Sequence, residues 1–209
     1  GWLPFGPVTR TWRWLLMLLV IGLGVLAGCK ADATVTVDVK SGGSGTVTVE
    51  VIADKEATDR LDLRKTVAVD DLKQAGWKVE DPADQPDGGV RLAASKAYAN
   101  PEELKLVLDE VGGQNGIFKN VALVDSSGFF TEKLQLTGTV DLSKGIESYG
   151  DEDIRTTAGG SAVGVDPKVL EDAAKTPAGQ VVNLKLVVNM PNDLAATNAP
   201  SGQTGKTAT

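Results

Sequence analysis

Two strictly alternating segments constrain the fold of this chain more than any other feature. Thr34–Val39 and Thr46–Val51 place a valine at every second position and a threonine or an acid between them. An extended strand would therefore carry all the valines on one face. The segment between them, Ser41–Gly45, is rich in glycines that can adopt the positive φ of a tight turn. The sequence predicts a β-hairpin with one buried face and one solvated face.

An amphipathic helix is predicted at Pro101–Val111. Asn100 is a good N-cap residue, Pro101 suits the first helical position, and Glu103 stands where a capping box requires it. Gly112 and Gly113 end the pattern. The apolar stripe has the i, i+3, i+4, i+7 spacing of a single helix face: Leu104, Val107, Leu108 and Val111.

The remaining segments alternate strands with short helices. They are a helix ending at Gly76, a strand from Trp77, a strand at Val90–Ala99, a second hairpin of Phe118–Val124 with Phe129–Leu142, a helix at Asp166–Ala174 and a last strand at Gln180–Met190. Within the second hairpin, Gly138 interrupts the inward row that contains Leu134 and Leu136, which indicates a bulge or bend. The order predicts an α+β fold, with a mostly antiparallel, bent β-sheet and two or three helices packed on one face.

A lipoprotein signal precedes these elements. Leu15–Val25 is apolar, follows Arg10 and Arg13, and is too short to span a bilayer, which is typical of a cleaved signal peptide. It ends in Leu26, Ala27, Gly28 and Cys29, the order of a bacterial lipobox. We therefore expect residues 1–28 to be removed and Cys29 to carry a covalent diacylglycerol. That anchor predicts a location on the extracytoplasmic face of the cell membrane.

The rest of the chain is predicted to form one domain over residues 29–190. Pro191 to Thr209 is polar and is predicted to be a tail or a truncated continuation, such as an incomplete hairpin. Only about four residues separate Cys29 from Thr34. At ~3.5 Å per residue, we expect the domain to lie within roughly 15 Å of the bilayer.

Composition argues against several kinds of function. The net charge of −7 disfavours nucleic acid, which needs clustered Lys and Arg. The chain has no His, and its single Cys is assigned to lipidation, so neither a Ser-His or Cys-His nucleophile pair nor a His/Cys zinc site can form. The acidic run Asp151–Asp153 lacks the spacing of a calcium loop, and Gly202–Thr207 lacks the first glycine of a phosphate-binding loop. We expect no catalytic residue, metal or further cofactor.

Several of these segments together resemble the LppM family of actinobacterial (mycobacterial-type) envelope lipoproteins. They are the lipobox, the two Thr-Val alternations, Ala75-Gly-Trp-Lys-Val79 and Val187-Val-Asn-Met-Pro191. The resemblance covers roughly Cys29 to Met190. It implies an α+β lipoprotein of the cell envelope that handles lipids or glycolipids, and it brings no catalytic residues.

The leading hypothesis is a non-catalytic protein that binds an envelope lipid or glycolipid in an apolar groove between sheet and helix. The candidate residues are Leu104, Val107, Leu108, Val111, Phe129, Phe130, Leu134 and Leu136. An ordinary core is the simpler explanation of the helical stripe, since amphipathic stripes mostly just pack. The alternative function is a protein-interaction module of the cell envelope that docks a partner through an exposed sheet face.

Overall fold

The structure is a computed structural model that describes residues 31–60, 69–112, 117–126, 128, 131, 133–141 and 182–209. The predicted helix at Asp166–Ala174 lies outside these residues. The described elements, in chain order, are β1 (Ala31–Val39), β2 (Gly45–Ala53), α1 (Lys55–Arg60), α2 (Val69–Gln74), β3 (Lys78–Val79), β4 (Ala83–Asp84), β5 (Val90–Tyr98), α3 (Pro101–Gly112), β6 (Phe118–Asp125), β7 (Leu134–Val140), β8 (Val182–Asn189), β9 (Gln203–Thr204) and β10 (Thr207–Ala208). Within the described ranges, no helix has the length and apolar character needed to cross a membrane.

One large sheet and one separate hairpin organise the fold. The sheet has the order β3-β5-β2-β1-β8-β10-β9, with β4 also paired to β5, and β6 pairs with β7 alone. All of these pairings are antiparallel except that of β1 with β8, which is parallel. The prediction of an α+β fold with a mostly antiparallel sheet is confirmed.

The first hairpin has the register that its alternation predicts. Val35 lies opposite Val49 and Val37 opposite Val47, so the valines of both strands share one face. These side chains are buried, and the threonines of the other face are only partly covered. The turn uses Gly42 and Gly43 at φ of 81° and 80°. Glycine adopts that left-handed backbone without the clash that a Cβ would cause.

Gly45, the first residue of β2, is required for a different reason. A Cβ built there would lie 1.9 Å from the carbonyl oxygen of Asp38 and 2.4 Å from the hydroxyl oxygen of Tyr98. The Tyr98 hydroxyl donates a hydrogen bond to that same carbonyl at 3.0 Å. The absence of a side chain at Gly45 therefore lets β5 fix the end of the first hairpin.

The predicted cap of α3 is present. The Glu103 amide donates to the side-chain oxygen of Asn100 at 2.9 Å. The Glu103 carboxylate in turn accepts from the Ala99 amide at 2.8 Å, one residue earlier than in the usual capping box. Asn100 also accepts the first helical bond, from the Leu104 amide. The helix therefore begins at Pro101, as predicted.

The second hairpin departs from its prediction in two ways. Its described return strand starts at Leu134, with Thr131 and Lys133 outside it, and its inward row ends early, since Val140 is 40% exposed. The bulge that Gly138 indicates lies on the facing strand, where Asn120 has a φ of 53° and the register shifts between Lys119 and Ala122. An extra residue in one strand increases the local twist. That twist explains why the row loses its cover past Leu136.

The C-terminal segment forms a small hairpin rather than a loose tail. β10 pairs with β8 through Thr207–Asn189 and Ala208–Val188, and β9 pairs with β10. Gly205, at a φ of 55°, lies in the turn between them. The glycine-rich run Gly202–Thr207 thus contains β9, the turn at Gly205 and the start of β10, at the edge of the large sheet.

Candidate functional site

The apolar stripe of α3 lies inside a closely packed core. Its four side chains are between 0% and 6% exposed, and α3 contacts β2, β5 and β6. They share the core with the inward valines of β1 and β2, and with Leu72 of α2. The structure therefore places Leu104, Val107, Leu108 and Val111 as core residues, the simpler of the two interpretations that the sequence allowed.

A polar cluster at the margin of this core joins α3 to the large sheet. The Glu110 carboxylate accepts from the indole N–H of Trp77 at 3.1 Å and from the Lys96 ammonium at 2.8 and 2.9 Å. The ammonium also lies 6.0 Å from the centre of the Trp77 ring, at the limit of a cation–π contact. Trp77 is buried, while Lys96 and Glu110 are about one-fifth exposed. The cluster satisfies a buried donor and holds helix and sheet together.

Two other apolar rows border the same core but are only partly covered. One is on β7 and contains Leu134 and Leu136. The second follows β8 and the residue after it, and contains Leu184, Leu186, Val188 and Met190. All six side chains pack against buried residues on one side and keep part of their surface accessible. Aliphatic surface that is ordered but incompletely covered can bind a further apolar group at little conformational cost.

The parallel pairing of β1 and β8 positions the second row relative to the predicted anchor. β1 begins at Ala31, three residues earlier than the alternation indicated, so only Lys30 separates it from Cys29. Ala31 pairs with Val182, the first residue of β8. The β8 row therefore starts at the end of the sheet to which the lipidated cysteine would be attached.

A chain of hydrogen bonds joins three strands near the other end of this row. The Asn189 side-chain amide donates to the Asp38 carboxylate at 2.7 Å, and the Thr207 hydroxyl lies 2.7 Å from the Asn189 side-chain oxygen. The Met190 amide also donates to the carbonyl of Lys206 at 2.8 Å. These contacts hold the C-terminal hairpin against the end of β8, beside Val188 and Met190.

Several charged groups of the described surface form ion pairs. The Arg91 guanidinium donates hydrogen bonds to Glu50 and Glu80, and these bonds, the one to Glu80 above all, raise its pKa. Lys119 pairs with Asp141 across the second hairpin. Within the described ranges, no three acidic, His or Cys side chains converge as a metal site would require.

The remaining predicted site residues lie outside the described residues. They are Cys29, the lipobox residues Leu26, Ala27 and Gly28, and the pair Phe129 and Phe130. Their assignments stay predictions. The described residues on either side of the phenylalanine pair are bonded to each other, since the Gly128 amide donates to the Thr131 carbonyl at 2.7 Å.

The chain matches no protein-family model, no curated protein and no solved structure. The resemblance to the LppM family therefore stays a prediction.

The β8 row was missed as a candidate site in the sequence. Alternation predicts a strand at Gln180–Met190, but it does not show which strand lies beside it or how well its inward row is covered. β1, the parallel partner of β8, is distant in the sequence, since the contacting residues Asp38 and Asn189 are 151 positions apart. No local pattern in the sequence indicates this pairing. The sequence signal that points to this end of the sheet is the combination of a lipobox with a strand that begins two residues after its cysteine.

Proposed function

We propose that this chain is a lipid-anchored envelope lipoprotein whose domain binds an acyl chain of a membrane lipid or glycolipid without catalysing a reaction. The observation that carries the proposal is the partly covered β8 row, which begins beside Ala31 and so beside the predicted anchor. We further infer that the large sheet bends and gathers its helices on the α3 side. Leu72 of α2 and the α3 stripe contribute to one core, which supports this arrangement.

The dimensions and chemistry of the row suit an acyl chain. Leu184 to Met190 spans about 20 Å at ~3.3 Å per residue, comparable with the ~15 Å half-thickness of a bilayer core. The side chains along it are aliphatic. Contacts of this kind favour hydrocarbon through the area that they remove from water and impose little directional selectivity. We therefore assign the β8 row as the acyl-chain site in place of the packed α3 stripe, with Leu134 and Leu136 as a second partly covered row on the same core.

The expected affinity is modest, and the anchor compensates for it. Each side chain in the β8 row is already partly buried, so completing its burial would contribute roughly 0.5 kcal/mol, or about 2 kcal/mol for the four residues of the row. A protein tethered to the membrane by Cys29 meets its lipid at a high effective concentration, so weak binding is sufficient. With one residue between Cys29 and β1, the tether spans about 7 Å.

Photo-crosslinking in the membrane tests the proposal. The full lipoprotein, in membranes that contain a phospholipid with a diazirine on its acyl chain, is irradiated and digested, and labelled peptides are mapped by mass spectrometry. We expect label on peptides that contain Leu184–Met190 and Leu134–Leu136, and little on Pro101–Gly112. Label confined to the α3 peptide, or spread evenly over the surface, would contradict the assignment.

Matched variants separate binding at the β8 row from unspecific labelling of exposed apolar side chains. Leu184→Gln and Leu186→Gln should each reduce labelling of the β8 peptide severalfold. Leu106→Gln is the control, because Leu106 is the most exposed large apolar residue of α3 at 57% and lies outside both rows. A Phe129→Ser, Phe130→Ser double variant tests whether the second sequence candidate contributes. Cys29→Ser should lose the diacylglycerol mass and leave the membrane fraction, which tests the anchor independently.

A further inference from the structure

We infer that the outer edge of β8, around Leu184 and Leu186, docks an extended peptide of a partner protein, which adds to the sheet as an antiparallel strand and presents an acidic residue to Lys185. This inference concerns the edge of the sheet and does not depend on lipid binding by its apolar face. It rests on the pairing of β8, on the orientation of its backbone groups and on the position of one lysine.

Among the strands that the structure describes, the pairing of β8 leaves most of this edge available. On one side β8 pairs with β1 along nearly its whole length, whereas β10 covers the other side only at Val188 and Asn189. Of the strands in the described ranges, none pairs with that side over residues 182–187. A strand edge in this state is a template for another strand. β10 shows that this edge accepts a strand running antiparallel to β8.

The backbone orientation identifies which residues would pair. The Met190 amide, just past β8, donates towards the C-terminal hairpin, to the carbonyl of Lys206. Because backbone groups point to alternate sides along a strand, Leu186 and Leu184 direct their N–H and C=O groups to the same edge. The window between the start of β8 and β10 is about 20 Å long and fits a segment of about six residues.

The side chains of β8 define the chemistry of the occupant. Lys185 is exposed on the face opposite Leu184 and Leu186, and it is not among the ion pairs of the described residues. The residue facing Lys185 in an added antiparallel strand would be a non-hydrogen-bonded neighbour, with the Cα atoms about 4.5 Å apart. A carboxylate there pairs with the ammonium, and apolar residues on either side of it extend the β8 row. Two β8 strands paired about Lys185 would instead oppose two lysines, which disfavours a second copy.

Peptide binding to the full lipoprotein in detergent micelles tests the proposal. The probe is the capped hexapeptide Thr-Val-Asp-Val-Thr-Val, whose third residue faces Lys185 when the peptide pairs antiparallel with residues 182–187, and its control carries Lys in place of Asp. We expect the Asp peptide to bind about two- to fivefold more tightly, and Lys185→Glu to reverse that preference. Lys206→Glu, an exposed lysine in the β9–β10 turn, is the matched control and should leave the preference unchanged. Equal binding of the two peptides by the unaltered protein, or no binding by either, would overturn the proposal.

Amide exchange gives a second readout that a surface ion pair alone would not move. In the free protein, the amides of Leu184 and Leu186 should exchange rapidly, while that of Val187, which points to β1, stays protected. The Asp peptide should protect the first two. N-methylation of the peptide residues whose N–H groups face β8 should abolish binding. N-methylation of the residues between them should leave binding intact. Protection of Leu184 and Leu186 before peptide is added, or protection that rises with protein concentration, would overturn the peptide assignment in favour of cover from the chain itself or from a second copy.

Discussion

The large sheet has two halves that are built from similar residues and covered differently. In β2, Val47, Val49 and Val51 are nearly inaccessible beneath the core that α3 completes. In β8, Leu184, Leu186 and Val188 form an equally regular row, yet each remains partly accessible. Alternation therefore specifies which face of a strand turns inward, and a second element decides whether that face is closed.

The difference separates a structural role from a candidate binding role. The α3 half is closed by complementary packing and by the Trp77–Lys96–Glu110 cluster, so an added ligand would have to displace core side chains. The β8 half already presents ordered aliphatic surface. Binding there requires no such displacement. Substitutions in the two halves should accordingly differ in what they damage, stability in one and binding in the other.

The largest difference in the free energy of unfolding is expected between Leu104→Ala and Leu186→Ala. Leu104 is fully buried, so its truncation leaves a cavity and should lower the free energy of unfolding by about 4 kcal/mol. Leu186 is partly exposed, and its loss should cost about 1 kcal/mol. Urea denaturation of the processed protein measures both, with the fluorescence of Trp77, the only tryptophan after Gly28, as the probe. Equal losses would remove the distinction between the halves.

Gly45→Ala should be the next most damaging change, by about 3 kcal/mol. The added methyl would meet the Asp38 carbonyl oxygen and the Tyr98 hydroxyl, so β1 and β5 would have to move apart. The same denaturation experiment gives the magnitude. Combining it with Tyr98→Phe removes the hydroxyl but not the backbone carbonyl and should recover only part of the loss. An unchanged stability would show that the closed half tolerates repacking.

The closed half should also become less stable at high pH. Burial, with a smaller contribution from Asp38, raises the pKa of Tyr98 to about 12 from its ordinary value near 10. The folded state therefore keeps its proton where the unfolded state loses it, so stability is complete below about pH 10 and falls as the pH rises towards 12. The expected loss is roughly 2 to 3 kcal/mol. Comparing urea denaturation of the protein and of Tyr98→Phe across this range isolates the effect. Parallel curves for the two proteins would contradict it.

Sequence reasoning succeeded where the determining contacts are local. The first hairpin follows from its valines, and α3 begins at Pro101 because Asn100 and Glu103 cap it. It failed where distant segments decide the outcome. The parallel pairing of β8 with β1, the placement of the indicated bulge on β6 and the docking of β10 on β8 all depend on residues that meet only in the fold. For the same reason, the stripe of α3 could be identified, but whether it faced core or ligand could not.

The smallest expected effects come from the polar contact that each half carries. Glu110→Ala leaves the buried indole N–H of Trp77 without its acceptor and should cost about 1 to 2 kcal/mol, with a shift in Trp77 emission. Asn189→Ala removes the link between Asp38 and Thr207 and should cost about 0.5 to 1 kcal/mol. Only the second should speed amide exchange selectively at Ala208 and Met190, because its loss frees the hairpin without opening the core. If Asn189→Ala instead loosened α3, the two halves would be one cooperative unit and the comparison would fail.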